Sequence, residues 1–231
     1  MGVRSWNFRL RARAILGSEH FSRTLGRSTI SLKATRRSAL SSEYLNRVYD
    51  GVDTYFRHRP FGHLLIAPVL NAPLEGALLS EFERFGWERR ADTFYRFDVP
   101  RDGASKARIL AMMHAPCLEI KSVLEPFLGC NLNGATQLEI HRYGKGDGIG
   151  PHTDAATPEV RCVININSGW SIADGAIWAL AADSALNAER TQLPSISNSA
   201  FAFSTGSTTF HALSIRYAGI GYAVTIRFPR R

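Results

Sequence analysis

The stretch RYGKGDGIGPHTD, residues 142–154, decides how the rest of the chain is read. It opens as the end of a strand, passes through a run of glycine and charge, and closes on a histidine and an aspartate separated by one residue. Residues i and i+2 of an extended segment face the same side, so His152 and Asp154 can reach into one space from one strand end. They would offer a metal one imidazole nitrogen and one carboxylate oxygen. Downstream of His152 the chain has a single further histidine, His211, in the segment TTFHALS, 57 residues beyond Asp154. Two histidines and a carboxylate leave open coordination positions and suit non-haem Fe(II). A His-x-Asp tripeptide arises by chance roughly 0.3 times in a chain of this composition, so its surroundings must carry the reading.

Those surroundings are strands. From residue 131 onward, TQLEIHRY, EVRCVININ, GAIWALAA, SAFAFST, TTFHALS and GYAVTIRF are separated by Gly, Asp, Asn and Ser turns. Such spacing predicts a double-sheet β-barrel of jelly-roll type. The half before it reads as support. SSEYLNRVYDGVDTYF (41–56) reads as a short helix, FGHLLIAPVL as a buried strand, APLEGALLSEFERFGW as an amphipathic helix opened by Pro73, and FYRFDV as a strand. KARILAMMHAPCLEIKSVLEPFLG reads as helix with a break at Pro116 and a glycine stop. The fold class expected is therefore α+β or mainly β: a double-stranded β-helix, jelly roll or cupin-like, with supporting helices from the N-terminal half.

Of the 231 residues 45% are apolar, which fits one globular domain. The net charge of +8 sits at one end: residues 1–42 hold eight arginines, Lys33 and a single acid, Glu19, and the body beyond them is neutral. The expected division is a basic arm or targeting segment over 1–42 and a catalytic domain over 43–231, with its ligand-bearing core at about 136–229. A neutral body argues against a nucleic-acid groove. The arginine- and serine-rich, acid-poor start makes mitochondrial targeting the alternative to a cytoplasmic location. No run of apolar residues is long enough for a membrane span. Cys117, Cys130 and Cys162 lack CxxC pairing and are expected in the core, while His20, His58, His63 and His114 are expected to be structural.

The segments LEIHRYGKGDGIGPHTD, VININSGWSIADGAIWAL, FAFSTGSTTFHAL and GYAVTIRF, taken in order, resemble the Fe(II)/2-oxoglutarate-dependent dioxygenases, and among them the prolyl 4-hydroxylase-like branch. The resemblance covers roughly residues 137–228, with a support half from about Pro60. It implies iron held by His152, Asp154 and His211, with 2-oxoglutarate and O2 as cosubstrates and ascorbate as a candidate reductant. It also implies a cosubstrate pocket bordered by Tyr143, and mirrors the family's Trp…Asp-Gly-Gly turn at Trp170, Asp174, Gly175 and Ala176. The reaction implied is hydroxylation of an aliphatic C–H of a small-molecule amino acid or a peptide residue, with release of succinate and CO2. A carboxylate at position 154 argues against halogenation, which needs a small residue there.

One expected part is missing. The branch places an Arg or Lys about ten residues after the distal histidine, directly before an aromatic, to pair the far carboxylate of 2-oxoglutarate; here Gly221 precedes Tyr222. Thr225 and Arg227 match half of a pattern in the alkylated-nucleobase demethylases of the same superfamily, and this makes Arg227 the first candidate for a relocated anchor. Arg216, Arg161 and Arg142 are the others. Nucleobase demethylation and a non-catalytic peptide-binding jelly roll are the alternatives to hydroxylation. His141 either lines the pocket or stands half-exposed on its strand. Asn165 and Asn167 either face the barrel interior or satisfy backbone groups, and Trp170 and Trp178 either wall the substrate site or fill the core.

Overall fold

The computed structural model describes residues 53–57, 60–134, 137–154, 158–167, 176–180, 190–194 and 197–231. The basic segment 1–42, most of the helix expected over 41–56, and Trp170, Asp174 and Gly175 lie outside the described residues. The elements are β1 (Asp53–Arg57), β2 (His63–Ala67), α1 (Ala72–Arg84), β3 (Trp87–Ala91), β4 (Tyr95–Pro100), α2 (Gly103–Leu128), β5 (Gln137–Tyr143), β6 (Gly148–His152), β7 (Glu159–Asn167), β8 (Ala176–Leu180), β9 (Arg190–Pro194), β10 (Ser199–Ser204), β11 (Phe210–Leu213) and β12 (Gly221–Pro229).

The strands pair antiparallel in the order β1-β2-β10-β7-β12-β5-β4-β6-β11-β8-β9, with β3 on β4. This is the curled, mainly antiparallel sheet of a jelly roll. Its centre is β5-β12-β7, where alternation sorts the side chains. Leu138, Ile140, Val160, Cys162, Ile164, Ile166, Val224, Ile226 and Phe228 are buried on one face, in one cluster with Leu78 and Phe82 of α1 and Ile109, Met113, Ile120 and Leu124 of α2. Each such fully buried Ile, Leu or Phe contributes about 1.5–3 kcal/mol relative to exposure, so this face carries most of the stability. A smaller cluster of Phe61, Ile177, Ala179, Phe201 and Phe203 fills part of the barrel interior.

Both helices are capped as their sequences suggest. Asn71 accepts from the Leu74 amide at 3.0 Å to start α1, and Asp102 accepts from the Ser105 amide at 2.7 Å to start α2. Gly129 closes α2 in the left-handed conformation at φ 62°. The expected break at Pro116 does not occur, because α2 runs through it. Proline there removes one internal hydrogen bond, but Met113 and Cys117, Ile120 and Val123 are buried on either side of it, and that packing holds both halves in line.

Four strands were not expected, among them β9, which pairs with β8. Asp53–Arg57 is a strand paired with β2 where a helix was expected. WERRA (Trp87–Ala91) is a strand whose charged side chains conceal it, with four of its five residues exposed. The fourth is β6, which occupies the second half of the glycine-rich stretch. There Gly148 passes so close to the neighbouring chain that a Cβ would meet the Leu213 carbonyl oxygen at 2.9 Å and the Ile215 Cα at 3.2 Å. The glycine is what lets β6 approach β11. His63 is fully buried and His114 is exposed; Cys117 and Cys162 lie in the core.

Candidate metal centre

Strands β6 and β11 face each other with His152 directly opposite His211. Asp154 follows two residues after the end of β6. Three ligand atoms, one from each side chain, lie within 4.8 Å of one another. His152 Nδ1 donates to the Gly150 carbonyl at 2.9 Å, and His211 Nδ1 donates to the Thr209 carbonyl at 3.2 Å. A carbonyl only accepts, so each Nδ1 carries the proton and each Nε2 presents a lone pair to the common space.

The two oxygens of Asp154 have different surroundings. Oδ1 receives Arg161 Nη1 at 2.8 Å. Oδ2 is buried and has no hydrogen-bond partner, although His211 Nε2 approaches within 3.3 Å. A buried carboxylate oxygen without a partner is costly, and a cation between it and the two imidazole lone pairs would remove that cost. The donor set therefore fits a divalent metal held by His152 Nε2, Asp154 Oδ2 and His211 Nε2.

Protonation agrees with this. Burial first, and then the neighbouring His211, hold His152 below the usual imidazole range. For Asp154, burial pushes the carboxyl up, but His211, Arg161 and His152 together outweigh it and hold it below the usual carboxylate range. Near neutral pH the site thus offers a neutral imidazole at His152 and an ionised carboxylate, the forms that bind metal.

Arg161 is itself held. Its Nε donates to Glu159 Oε1 at 2.9 Å, and Glu159 is gripped from the other side by Arg227, whose Nε lies 3.0 Å from both carboxylate oxygens. Arg227 Nη1 also donates to Gln137 Oε1 at 2.8 Å. The row Arg227, Glu159, Arg161, Asp154 is a chain of alternating charge that ends on the candidate ligand. Its signal in the sequence was the parity of β7: Arg161, Val163, Asn165 and Asn167 share one face.

The triad opens into a cavity of about 440 Å³ between the inner face of β5-β12-β7 and strands β6 and β11. Rows across the sheet follow the register. Tyr143, Gly221 and Asn167 form one row; His141, Ala223 and Asn165 the next; Glu139, Thr225 and Val163 the third; Gln137, Arg227 and Arg161 the last. Tyr143, His141, Asn165, Asn167 and Thr225 all line the cavity. Asn165 donates to Ser199 Oγ at 3.3 Å. His141 packs on Phe97 with ring centroids 4.4 Å apart, and burial pushes its pKa down to about 4. Burial raises the Tyr143 phenol, which stays a neutral donor. Aromatic residues Phe94, Tyr95 and Phe97 also line the cavity; the sequence had marked them only as strand.

The four candidate arginines separate. Arg227 stands six residues along β12 from Gly221, a span of about 20 Å, with its guanidinium on Glu159 and Gln137. Arg161 is on Asp154. Arg142 belongs to the other face of β5, where it donates to Asp98 Oδ2 at 2.6 and 2.9 Å and lies over the Trp87 ring. Arg216 is buried in the β11–β12 connection and lines the cavity. Its backbone is tied to the β5–β6 turn: its N–H donates to the Asp147 carbonyl and its carbonyl accepts from the Gly146 amide, both at 2.8 Å. Asp147, 1% exposed, receives both Nη atoms of Arg89, at 2.8 and 2.6 Å.

No family model matches the chain, and no curated protein matches it in sequence. Solved structures match in fold. A Pseudomonas putida prolyl-4-hydroxylase superposes with a TM-score of 0.53 at 20% identity, over 78% of this chain and 93% of that one. The non-haem α-ketoglutarate-dependent epimerase SnoN from nogalamycin biosynthesis gives 0.58 at 15%, over 72% and 76%. A Trichoplax adhaerens prolyl hydroxylase, solved with a hypoxia-inducible-factor peptide fragment, gives 0.52 at 15%, over 72% and 83%. The chain has the double-stranded β-helix fold that these 2-oxoglutarate-Fe(II) oxygenases share. None of its helices among the described residues is long and apolar enough to cross a membrane.

Proposed function

We propose that the protein is an Fe(II)- and 2-oxoglutarate-dependent oxygenase that hydroxylates an aliphatic C–H of an amino acid or peptide residue, with release of succinate and CO2. The observation that carries the proposal is the buried Asp154 Oδ2, without a hydrogen-bond partner and facing two imidazole nitrogens whose protons are held away from it. Three ligands on one side leave the other positions to 2-oxoglutarate and O2. The bound iron would supply the oxidising chemistry, which no side chain here can.

The protein's own residues do the rest. Gly150 and Thr209 carbonyls fix the imidazoles, and Arg161 turns Asp154 so that one oxygen is left for the metal. The inner face of β5-β12-β7 gives the cosubstrate a wall of buried hydrogen-bonding groups, Tyr143, Asn165, Asn167 and Thr225. Phe94, Tyr95 and Phe97 supply apolar contact at the cavity, which suits the aliphatic part of a substrate. That the similar Trichoplax prolyl hydroxylase forms a complex with a peptide fragment supports a substrate of that kind. Nucleobase demethylation finds no support, since Arg227 is engaged by Glu159.

Anaerobic addition of Fe(II) and 2-oxoglutarate should give the weak visible metal-to-ligand charge-transfer band, and admitting air should release succinate. Absence of the band in the wild-type protein would sink the reading. A band that survives Asp154→Ala combined with His211→Ala would sink the ligand assignment.

A further inference from the structure

Gly221 stands where an anchoring cation is expected on the last strand, and the space above it is already taken. A Cβ built on Gly221 would collide with Arg216 Nη1 and Asn167 Oδ1, and would lie 2.6 Å from Arg216 Cζ. The guanidinium of Arg216 therefore sits over residue 221, having arrived from the connection that precedes β12 rather than from β12 itself. From this we infer that Arg216 binds the far carboxylate of the cosubstrate, and that residue 221 is glycine because any side chain there would evict the guanidinium. The inference rests on the reading of the site given above.

Three features converge on this end of the cavity. Arg216 is 6% exposed, so its charge acts in a medium where it is poorly screened. The cross-strand partners of Gly221 are Tyr143, a neutral phenol, and Asn167, and both line the cavity together with Arg216. Two hydrogen-bonding neutral groups around one cation make a site for a carboxylate. Arg216 Nε donates to the Ala218 carbonyl at 3.0 Å, which orients the fork of the guanidinium. The β5–β6 turn holds the loop itself in place through two backbone hydrogen bonds, from the Arg216 N–H to the Asp147 carbonyl and from the Gly146 N–H to the Arg216 carbonyl.

The test is calorimetric binding of two 2-oxo acids to the full-length protein loaded with Mn(II): 2-oxoglutarate, and 2-oxopentanoate, which has the same chain length without the far carboxylate. Wild type should prefer 2-oxoglutarate by at least about 30-fold, the scale of a charged hydrogen-bonded pair. Arg216→Gln places an amide nitrogen where Nε was, so the Ala218 bond can persist while the charge is lost. It should bring the two affinities within about threefold of each other, with Mn(II) affinity unchanged. Gly221→Ala keeps the arginine and displaces it, and should reduce the preference at least tenfold, which carries the test if Arg216→Gln does not fold. Arg216→Gln combined with Gly221→Arg returns the cation to the strand and should recover part of the preference. Wild-type preference retained in Arg216→Gln, or in Gly221→Ala, overturns the anchor. Equal binding of both acids by wild type overturns the anchor and leaves the metal site standing, whereas binding of neither overturns the oxygenase reading with it.

Discussion

The two faces of the β5-β12-β7 sheet come from the same nine- and seven-residue strands yet have almost nothing in common. The face against the helices is Leu, Ile, Val, Cys and Phe, without a charge among the core residues of the three strands. The inner face carries Glu139, His141, Tyr143, Arg161, Asn165, Asn167 and Thr225 around a cavity. Stability and chemistry are thus assigned to opposite parities of one set of residues. The outer face can tolerate a polar inner face because the helices bury enough apolar surface on their own.

If the division is real, substitutions on the two faces should damage different properties. The largest effect expected is from Asp154→Ala, which should weaken metal binding by more than about 1000-fold, since three ligands become two, while leaving thermal unfolding of the metal-free protein unchanged or raised. Calorimetry and a thermal scan of the same sample check both halves. Next comes Ile164→Ala on the outer face, fully buried among the helices. It should cost about 2–5 kcal/mol in urea unfolding with the metal affinity of the folded protein intact. If it weakened metal binding as much as the ligand substitution, the faces would not be separable.

Arg161→Met should weaken metal binding by about 10–100-fold, the scale for residues that orient a ligand rather than contact the metal. Its removal frees Asp154 Oδ1 to rotate, so the loss should be larger for Arg161→Met than for Arg227→Met, which stands two links further along the charge chain. An equal loss in both would mean that the chain acts through Glu159 instead. The smallest effect concerns His141, whose folded pKa of about 4 lies below the ordinary 6.5. Between those values the unfolded chain takes up a proton that the folded one refuses. The contribution is fully present above pH 6.5 and is lost as pH falls towards 4. Wild type should therefore lose up to about 2 kcal/mol more than His141→Gln between pH 7 and pH 5, read from urea midpoints.

The sequence made the outer parity easy to see. Strands such as EVRCVININ and GYAVTIRF alternate, and the apolar set alone selects one face. The candidate ligands were legible for a different reason: His152 and Asp154 share a parity, and His211 is the only histidine after them. The parts that did not show were those whose partners are remote in sequence. WERRA reads as loop because its strand is stabilised by β4 and not by a buried face of its own. β6 reads as turn because its glycines serve a neighbouring backbone 65 residues away, at Leu213. Arg227 and Arg216 had equal standing as letters. What separates them is Glu159, 68 residues from Arg227, and the empty Cβ position of Gly221, neither of which a motif records.

The turn at Asp147 has a consequence for how the two ends of the cavity communicate. From it β6 leads directly to His152, and from its backbone hangs Arg216. A rigid mount shared by two binding groups makes their affinities covary: what loosens it taxes metal and anion together, and a second loosening adds little. Arg89, half exposed at 50% and touching neither ligand, closes that mount from outside. In a double-mutant cycle Arg89→Ala and Arg216→Gln should therefore be non-additive, and an ordered turn, once metal is bound, would raise the affinity for the anion by the same factor that the anion raises the affinity for metal.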